Sequence, residues 1–248
     1  MRTVTGASSG RPMSDIAERQ MRRWALDLQT RQRLEQESAG AGVPELIHPY
    51  IAISRESGVD ANELGKALAV ECGFHMLDRE LIDHLAEHDH LSHLALEFVD
   101  ERTVSWFHEM FGKWLECQLV SQAEYVRRLG RIALLATQHE SAIFVGRGVQ
   151  FMLPRNRGLA VRVVAGRKQR VACVAKRQNC TEREAARIVD ETDANRAQFV
   201  KRYFHHDIAD PHLYDVVVNL EHVPRSDAVQ LIAGEAKRHV ERLRHQRA

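Results

Sequence analysis

The chain has 248 residues, of which 44% are hydrophobic and 28% are charged, as in an ordinary soluble globular protein. The formal net charge of +1 gives no basic field for a nucleic acid. The four cysteines form no C-x-x-C pair, which argues against a zinc ribbon or a disulfide framework. No apolar run is long enough to span a bilayer, and no signal peptide begins the chain. We therefore expect a cytoplasmic protein without membrane or nucleic-acid partners.

The first 45 residues are predicted to be separate from the main domain, which is expected over residues 46–248. Residues 1 to about 13 have a disordered composition. Ser14–Glu37 is rich in Arg, Glu, Gln and Leu without Gly or Pro, which predicts a helix. Arg22 and Arg23 are expected on its solvated face rather than in a binding patch. The stretch Ser38–Pro44 reads as a linker.

In the main domain, short apolar runs alternate with helical stretches, which predicts an α/β fold with a parallel sheet. The predicted strands are Tyr50–Ser54, His75–Leu77, Ser141–Val145, Leu159–Val164 and Val216–Asn219. The predicted helices are Asn62–Cys72, Arg79–His88, a long region over Glu101–Gln138, Arg167–Gln178 and Glu182–Asp190. In such sheets a ligand binds beyond the carboxyl ends of the strands. Residues that directly follow strands are therefore candidates for function: Arg55–Asn62, Asp78–Glu80 and Gly146–Gly148.

The segment from Tyr50 to Cys72 reads as a strand, a turn at Gly58 and a helix, which is the layout of a phosphate-binding loop. Its residues do not match the Walker A sequence, because no lysine stands at the helix start. Asp60 and Glu63 have the spacing of a capping box. We expect Asp60 to cap the helix, to use donors that a phosphate would need and to repel a triphosphate.

Six motifs in order resemble the cytidylate kinase-like family of bacterial nucleotide kinases, itself similar to the P-loop nucleoside monophosphate kinases. They are ISRE-x-G, ELGKALAxxxGF, LDRELI, FVGRGVQFML, RxxRVACVAKR and TDANRAQFVKRYFHHDIADPHLYDVVVN, between Ile51 and Val223. The resemblance implies a P-loop-kinase-like, three-layer fold with a five-stranded parallel sheet. It also implies a helical monophosphate-binding insertion at about 79–138 and a mobile lid at about 167–212. The implied activity is transfer of the γ-phosphoryl group of ATP, with Mg²⁺, to CMP or a related monophosphate.

The resemblance also implies roles for particular residues. The catalytic candidates are Arg147, Arg170, Arg177 and Arg196, because phosphoryl transfer needs several cations at one place. The expected contacts to the monophosphate come from Asp78, Arg147 and Asp193. The expected contacts to ATP come from Arg55, Ser57, Gly58 and Asn62, and no metal ion is expected on protein ligands. The chain has Gly148 where true cytidylate kinases have an aspartate.

Other interpretations remain open at this point. The altered loop favours a second hypothesis, in which a catalytically weak or inactive kinase fold senses nucleotides or binds proteins. The N-terminal helix would then be a docking or dimerising element. Under either hypothesis, the N-terminal helix and the helices of 101–138 are candidate surfaces for a homodimer. His84, His88, His90 and His93 lie in an amphipathic helix, and we do not predict a metal site there. The aromatic residues between Trp106 and Leu115 are expected in a core or a helix interface.

Overall fold

Five parallel strands form a single sheet at the centre of the domain. In this computed structural model residues 16–17, 19–20, 23–24, 47–77, 80–81, 83–84 and 120–245 are described. The strands are β1 (Tyr50–Arg55), β2 (His75–Leu77), β3 (Ala142–Val145), β4 (Gly158–Val164) and β5 (Val216–Asn219). Their spatial order is β2-β3-β1-β4-β5, and every neighbouring pair is parallel. The predicted parallel α/β fold is therefore confirmed.

Helices cover both faces of the sheet. They are α1 (Ala61–Cys72), α2 (Val120–His139), α3 (Arg167–Gln178), α4 (Glu182–Phe204) and α5 (Arg225–His245). Side chains alternate along a strand, so each strand contributes to two cores. Ile51 and Ile53 of β1 face a core that contains residues of α1 and α5, whereas Tyr50 and Ala52 face a core that contains residues of α2. The result is a three-layer arrangement with the central strand β1 buried on both sides.

Two helices differ from the prediction. The helix predicted to end at Asp190 continues as α4 to Phe204, because Val200, Tyr203 and Phe204 are buried and hold the added turns against the core. The Thr–Asp–Ala–Asn stretch inside α4 contains poor helix formers, which hid this continuation. Helix α5 was not predicted, although its buried alanines and aliphatic residues recur at helical spacing from Ala228 to Ala236.

Helices α3 and α4 pack against each other through a small core of their own. It consists of Val171 and Val174 from α3 and Ala185 and Val189 from α4. Helix α4 begins with a capping box, in which the Thr181 hydroxyl accepts from the Glu184 N–H and the Glu184 carboxylate accepts from the Thr181 N–H. This pair lies in the segment where the resemblance implies a lid.

The described residues of the predicted N-terminal helix are helical and contact the end of α2. Trp24 is buried, and its ring stacks on His139 with centroids 6.2 Å apart. Its indole N–H donates to Glu140 Oε1 at 3.4 Å, and Gln20 Nε2 donates to the same oxygen at 3.1 Å. Arg23 Nη2 lies 3.3 Å from Glu140 Oε2. The contacts of buried Trp24 thus hold the described part of the N-terminal helix against the end of α2.

Several predictions fall outside the described residues. They concern Asp78, the histidines His88, His90 and His93, the aromatic stretch from Trp106 to Leu115 and most of the helical insertion. Within the described part of the chain, no group of three or more His, Cys, Asp or Glu side chains is arranged to hold a metal ion. None of the described helices is long and apolar enough to cross a bilayer.

Candidate active site

A cavity of about 340 Å³ opens at the carboxyl ends of β1 and β3, where parallel sheets bind ligands. Its wall includes Arg55 at the end of β1, Arg147 after β3 and Arg196 from α4. Ser54 and Asn195 also line it, and none of its described lining residues is acidic. Arg196 Nη1 donates to the Arg55 carbonyl at 3.2 Å, which ties α4 to the end of β1. The cavity wall therefore carries three guanidinium groups and suits an anion.

The turn after β3 positions two of these arginines. Gly146, Arg147 and Gly148 all have positive φ, at 91°, 59° and 69°. A Cβ at Gly146 would overlap the Arg55 guanidinium, so the glycine lets that side chain lie against the turn. Arg147 is one of the few non-glycine residues that adopt this conformation. The left-handed turn directs the chain so that Arg147 enters the cavity wall.

Arg147 is held by a carboxylate from the segment after β2. Its Nε donates to Asp83 Oδ1 at 2.7 Å, and its Nη2 donates to Asp83 Oδ2. The Tyr125 hydroxyl donates to Asp83 Oδ1 at 2.8 Å, and the Tyr125 ring lies under the guanidinium, 5.8 Å from centroid to Cζ. A bidentate pair fixes both the position and the plane of a guanidinium. Asp83 and Tyr125 therefore orient Arg147, and neither was predicted as a site residue.

The phosphate-loop position is filled by a side chain from α4. The Ser57 N–H donates to Asp193 Oδ1 at 2.7 Å, and Arg170 Nη1 donates to Asp193 Oδ2 at 2.6 Å. Arg170 Nη1 also donates to the Ser57 carbonyl at 3.0 Å. A backbone N–H and a guanidinium are the donors that a phosphate would use. The Asp193 carboxylate therefore occupies the place expected for a phosphate oxygen.

Further contacts lock Arg170 beside this loop. Its Nε donates to the Ala165 carbonyl at 2.9 Å and lies 3.2 Å from Glu56 Oε2. Glu56 Oε2 also accepts from the Ala165 N–H at 3.1 Å. Gly58 has a φ of 86°, and a Cβ there would lie 2.5 Å from the Arg170 carbonyl oxygen. The absence of a side chain at Gly58 thus permits the loop and the start of α3 to touch.

The predicted side-chain cap by Asp60 is wrong. Asp60 precedes α1 with φ −83° and ψ 61°, outside the extended region usual for a capping residue, and its carboxylate accepts no cap hydrogen bond. It lies instead 3.4 Å from Arg225 Nη2. Glu63 pairs with Lys66 at 2.7 Å, and that hydrogen bond lowers the pKa of Glu63. The capping box is therefore absent, and the Asp60 carboxylate accepts from none of the N–H groups at the start of α1.

The predicted site residues divide into three groups. Arg55, Arg147 and Arg196 line the cavity, whereas Ser57, Gly58, Arg170 and Asp193 form the adjacent loop cluster. Asn62 is exposed in the first turn of α1. Arg177 is exposed near the end of α3 and is not among the residues that line the cavity. Glu56 was not predicted as a site residue by itself, although its position directly after β1 marks it as a candidate in the sequence.

The carboxylates beside the loop do not fit a Mg²⁺ ion held by the protein. Glu56 and Asp193 contact Arg170, and Asp60 contacts Arg225. In these contacts each carboxylate faces a guanidinium instead of an open coordination position. Mg²⁺ often depends on substrate phosphates and water for most of its ligands. The described residues beside the loop therefore offer no carboxylate free of a guanidinium partner among Glu56, Asp60 and Asp193.

Comparison with known proteins agrees with this fold. The chain resembles the crystal structure of an uncharacterized protein from Eubacterium ventriosum ATCC 27560 at 20% identity and a TM-score of 0.62, covering 77% of this chain and 98% of that chain. A gluconokinase from Sinorhizobium meliloti 1021 is similar at 15% identity and a TM-score of 0.45, covering 81% of this chain and 98% of that one. At 20% identity, the likeness to the first of these two structures concerns the fold alone.

Sequence comparison identifies the family. No curated protein matches the chain. The model of the cytidylate kinase-like family matches residues 50–222, which include the five described strands, the loop cluster and the cavity arginines. The chain therefore belongs to the cytidylate kinase-like family.

Proposed function

We propose that this protein transfers the γ-phosphoryl group of ATP to a nucleoside monophosphate, with CMP as the favoured acceptor. The observation that carries the proposal is the convergence of Arg55, Arg147 and Arg196 on one cavity at the carboxyl end of the sheet. Phosphoryl transfer depends mainly on positioning and on stabilising charge on the transferred group. Three guanidinium groups around a cavity without lining carboxylates meet that need. The preference for CMP as the acceptor rests only on membership of the cytidylate kinase-like family.

Each part of the site then has a task. The cavity receives the acceptor phosphate, and Arg147 binds it in an orientation that Asp83 sets. The donor triphosphate approaches the loop at Ser57 and Gly58, next to Arg170. Arg196 comes from α4 between the two and contacts both the end of β1 and Asp193, the latter at 3.7 Å. This position suits an arginine that neutralises charge on the group in transit.

The arrangement of the loop also supports a conformational step that accompanies donor binding. The Ser57 N–H and Arg170 cannot both bind a donor phosphate while Asp193 accepts hydrogen bonds from them. Donor binding therefore requires Asp193 to leave the loop. Because Asp193 and Arg196 share helix α4, this movement also changes the cavity that the acceptor occupies. Donor and acceptor sites are coupled through one helix.

A coupled assay of ADP release tests the proposal with Mg·ATP and a panel of nucleoside monophosphates. We expect ADP release that depends on the acceptor and is fastest with CMP. Arg147→Ala should lower kcat/KM by about 10³-fold, on the scale of other arginines that stabilise phosphoryl transfer. Arg242→Ala is the control, because Arg242 is exposed on α5 and pairs with Glu235. The proposal would be contradicted by a rate of ADP release that does not depend on any acceptor, or by full activity of Arg147→Ala.

The loop geometry supports a second candidate function, a protein that binds nucleotides without turning them over. The supporting observation is the Asp193 carboxylate on the Ser57 N–H, which competes with a donor phosphate. Calorimetry separates the two functions. Binding of a monophosphate with no phosphoryl transfer to any acceptor would favour this second function over the first.

A further inference from the structure

A fourth arginine lies beneath the cavity, in the middle of the sheet. Arg162 is on β4, directly opposite Ser54 of β1 in the parallel register. It is only 8% exposed. Its Nη1 donates to Ser54 Oγ at 2.8 Å, and its guanidinium carbon lies 5.9 Å from the Tyr214 ring centroid. Within residues 47–77 and 120–245, no carboxylate forms an ion pair with it. The sequence gives no local reason for a cation at this position in an apolar strand.

The partners of Arg162 connect it to the cavity. Ser54 is itself buried and lines the cavity floor. The Tyr214 hydroxyl is within donating distance of both the Ile208 carbonyl, at 2.9 Å, and Ser54 Oγ, at 3.2 Å. Arg162 donates to Ser54 Oγ, so when the Tyr214 proton also points to Ser54, the Ser54 hydroxyl has its own proton left to donate. A ligand oxygen in the cavity is an acceptor for it.

Burial of a guanidinium without a counter-ion is unfavourable, since a charge that leaves water must be compensated by an opposite charge or by dipoles. One hydroxyl and one aromatic face compensate it only in part. An anion in the cavity above Ser54 would supply the remaining compensation, because the arginine-rich wall of that cavity suits an anion. We propose that Arg162 is a buried counter-charge for the phosphate group of the cavity ligand and acts on it through the Ser54 hydroxyl.

This role differs from that of the arginines on the cavity wall. Under the proposed function, Arg55, Arg147 and Arg196 contact the ligand directly, whereas Arg162 is a positioning residue that is largely buried and bonded to Ser54 before the ligand arrives. A preorganised charge needs no rearrangement when it acts, and its field is strong in a region without water. The anionic nature of the ligand follows from Arg162 itself, and its identity as the acceptor monophosphate rests on the proposed function.

The test compares Arg162→Met with Arg162→Lys in the full chain, using CMP and inorganic phosphate as separate probes. Without ligand, we expect Arg162→Met to melt at or above the wild-type temperature, because an incompletely compensated charge has been removed. With CMP, its Kd should rise at least about tenfold, as for loss of a charged hydrogen-bonding group. The Kd of Arg162→Lys for CMP should lie between the values of the wild type and of Arg162→Met. In turnover, KM for the monophosphate should rise more than kcat falls.

Two controls distinguish this effect from general damage to the fold. Arg242→Met removes an exposed arginine that pairs with Glu235 and should leave CMP affinity unchanged. Ser54→Ala should weaken CMP binding in the same direction as Arg162→Met. An Arg162→Met protein that melts at a lower temperature but binds CMP as the wild type does would overturn the inference and make Arg162 structural.

The proposed function and this inference fail in different ways. If the wild type transfers no phosphoryl group, yet CMP or inorganic phosphate raises its Tm and fails to raise that of Arg162→Met, the anion site stands without the enzyme. If phosphoryl transfer is found and Arg162→Met retains wild-type KM and Kd, only the inference falls. A wild type that neither CMP nor inorganic phosphate stabilises also overturns it.

Discussion

The two carboxylate oxygens of Asp193 accept hydrogen bonds from two different places, the loop after β1 and the buried Arg170. One oxygen accepts from the Ser57 N–H at 2.7 Å and the other from Arg170 at 2.6 Å. Asp193→Asn removes the charge with little change in shape and leaves one acceptor. We expect ATP affinity, measured by calorimetry, to rise about tenfold because a competing anion is lost. The same change should lower the free energy of unfolding by about 2 kcal/mol, since a charged hydrogen bond to Arg170 is weakened.

Asp60→Asn is the matched control for that substitution. It also removes one carboxylate near the loop, but this carboxylate is 43% exposed and faces Arg225. Surface ion pairs contribute little, so ATP affinity and stability should stay close to wild type. Weaker ATP binding by Asp193→Asn would show that Asp193 prepares Arg170 for the nucleotide instead of competing with it.

Gly146 offers a second test at the level of single residues. Gly146→Ala would add a methyl group at φ 91° that overlaps the Arg55 guanidinium. We expect the free energy of unfolding to fall by about 1–2 kcal/mol because of the left-handed backbone. We also expect weaker binding of CMP, because the added methyl group displaces the Arg55 side chain. Gly73→Ala is the comparison, because Gly73 has φ 66° and open space around it. Melting curves should show both alanines to be destabilising, and calorimetry should show a binding defect for Gly146→Ala alone.

Among the elements, α4 depends on its first turn. The hydrogen bonds from the Thr181 hydroxyl and N–H lower the pKa of Glu184. Because the folded pKa is below the unfolded value of about 4.3, the cap stabilises α4 above that value. Its contribution is lost as the pH falls through the folded pKa. Hydrogen exchange at the start of α4 should thus be faster in Glu184→Gln than in wild type at pH 7, and the difference should shrink at about pH 3. An equal difference at both pH values would show that the carboxylate charge has no role.

Elements whose signals are local could be predicted from the sequence. The bounds of β2, β5 and α3 match the prediction to the residue, because each is a continuous run with turn or capping residues beside it. The length of α4 depends on burial of Tyr203 and Phe204 in a distant core, which a polar local sequence does not show. Likewise, Asp60 and Glu63 have capping-box spacing, but the backbone angles at Asp60 decide the outcome.

The site is harder to predict than the fold because its contacts join distant segments. Arg147 was recognisable from its place after a strand. Its partner Asp83 lies 64 residues away in the chain, and no periodicity indicates that pairing. The contact between Asp193 and the Ser57 N–H spans 136 residues. It differs from the expectation for the loop, since the carboxylate that accepts from a loop N–H comes from α4 and not from Asp60.

For the whole molecule, the net charge of +1 conceals an uneven distribution. Arg55, Arg147 and Arg196 gather at one end of the sheet, so an anionic ligand meets a locally positive field. We expect the Kd for CMP to rise several-fold between about 0.1 M and 1 M KCl, as the Debye length falls from about 10 Å to about 3 Å. Arg147→Gln should show a shallower dependence. A Kd that does not change with salt would place the phosphate away from these arginines.

Under the proposed function, the contact between Asp193 and Ser57 also sets how many molecules are ready for a donor nucleotide at any moment. If about one molecule in a hundred has released the contact, the measured affinity is about 100-fold weaker than the intrinsic one. Any molecule that binds α4 and favours the released form then strengthens nucleotide binding without touching the nucleotide. Linkage makes the effect mutual, because the nucleotide strengthens binding of that molecule by the same factor. Under the proposed function, one carboxylate on a 23-residue helix thus gives the protein an adjustable sensitivity to nucleotide concentration.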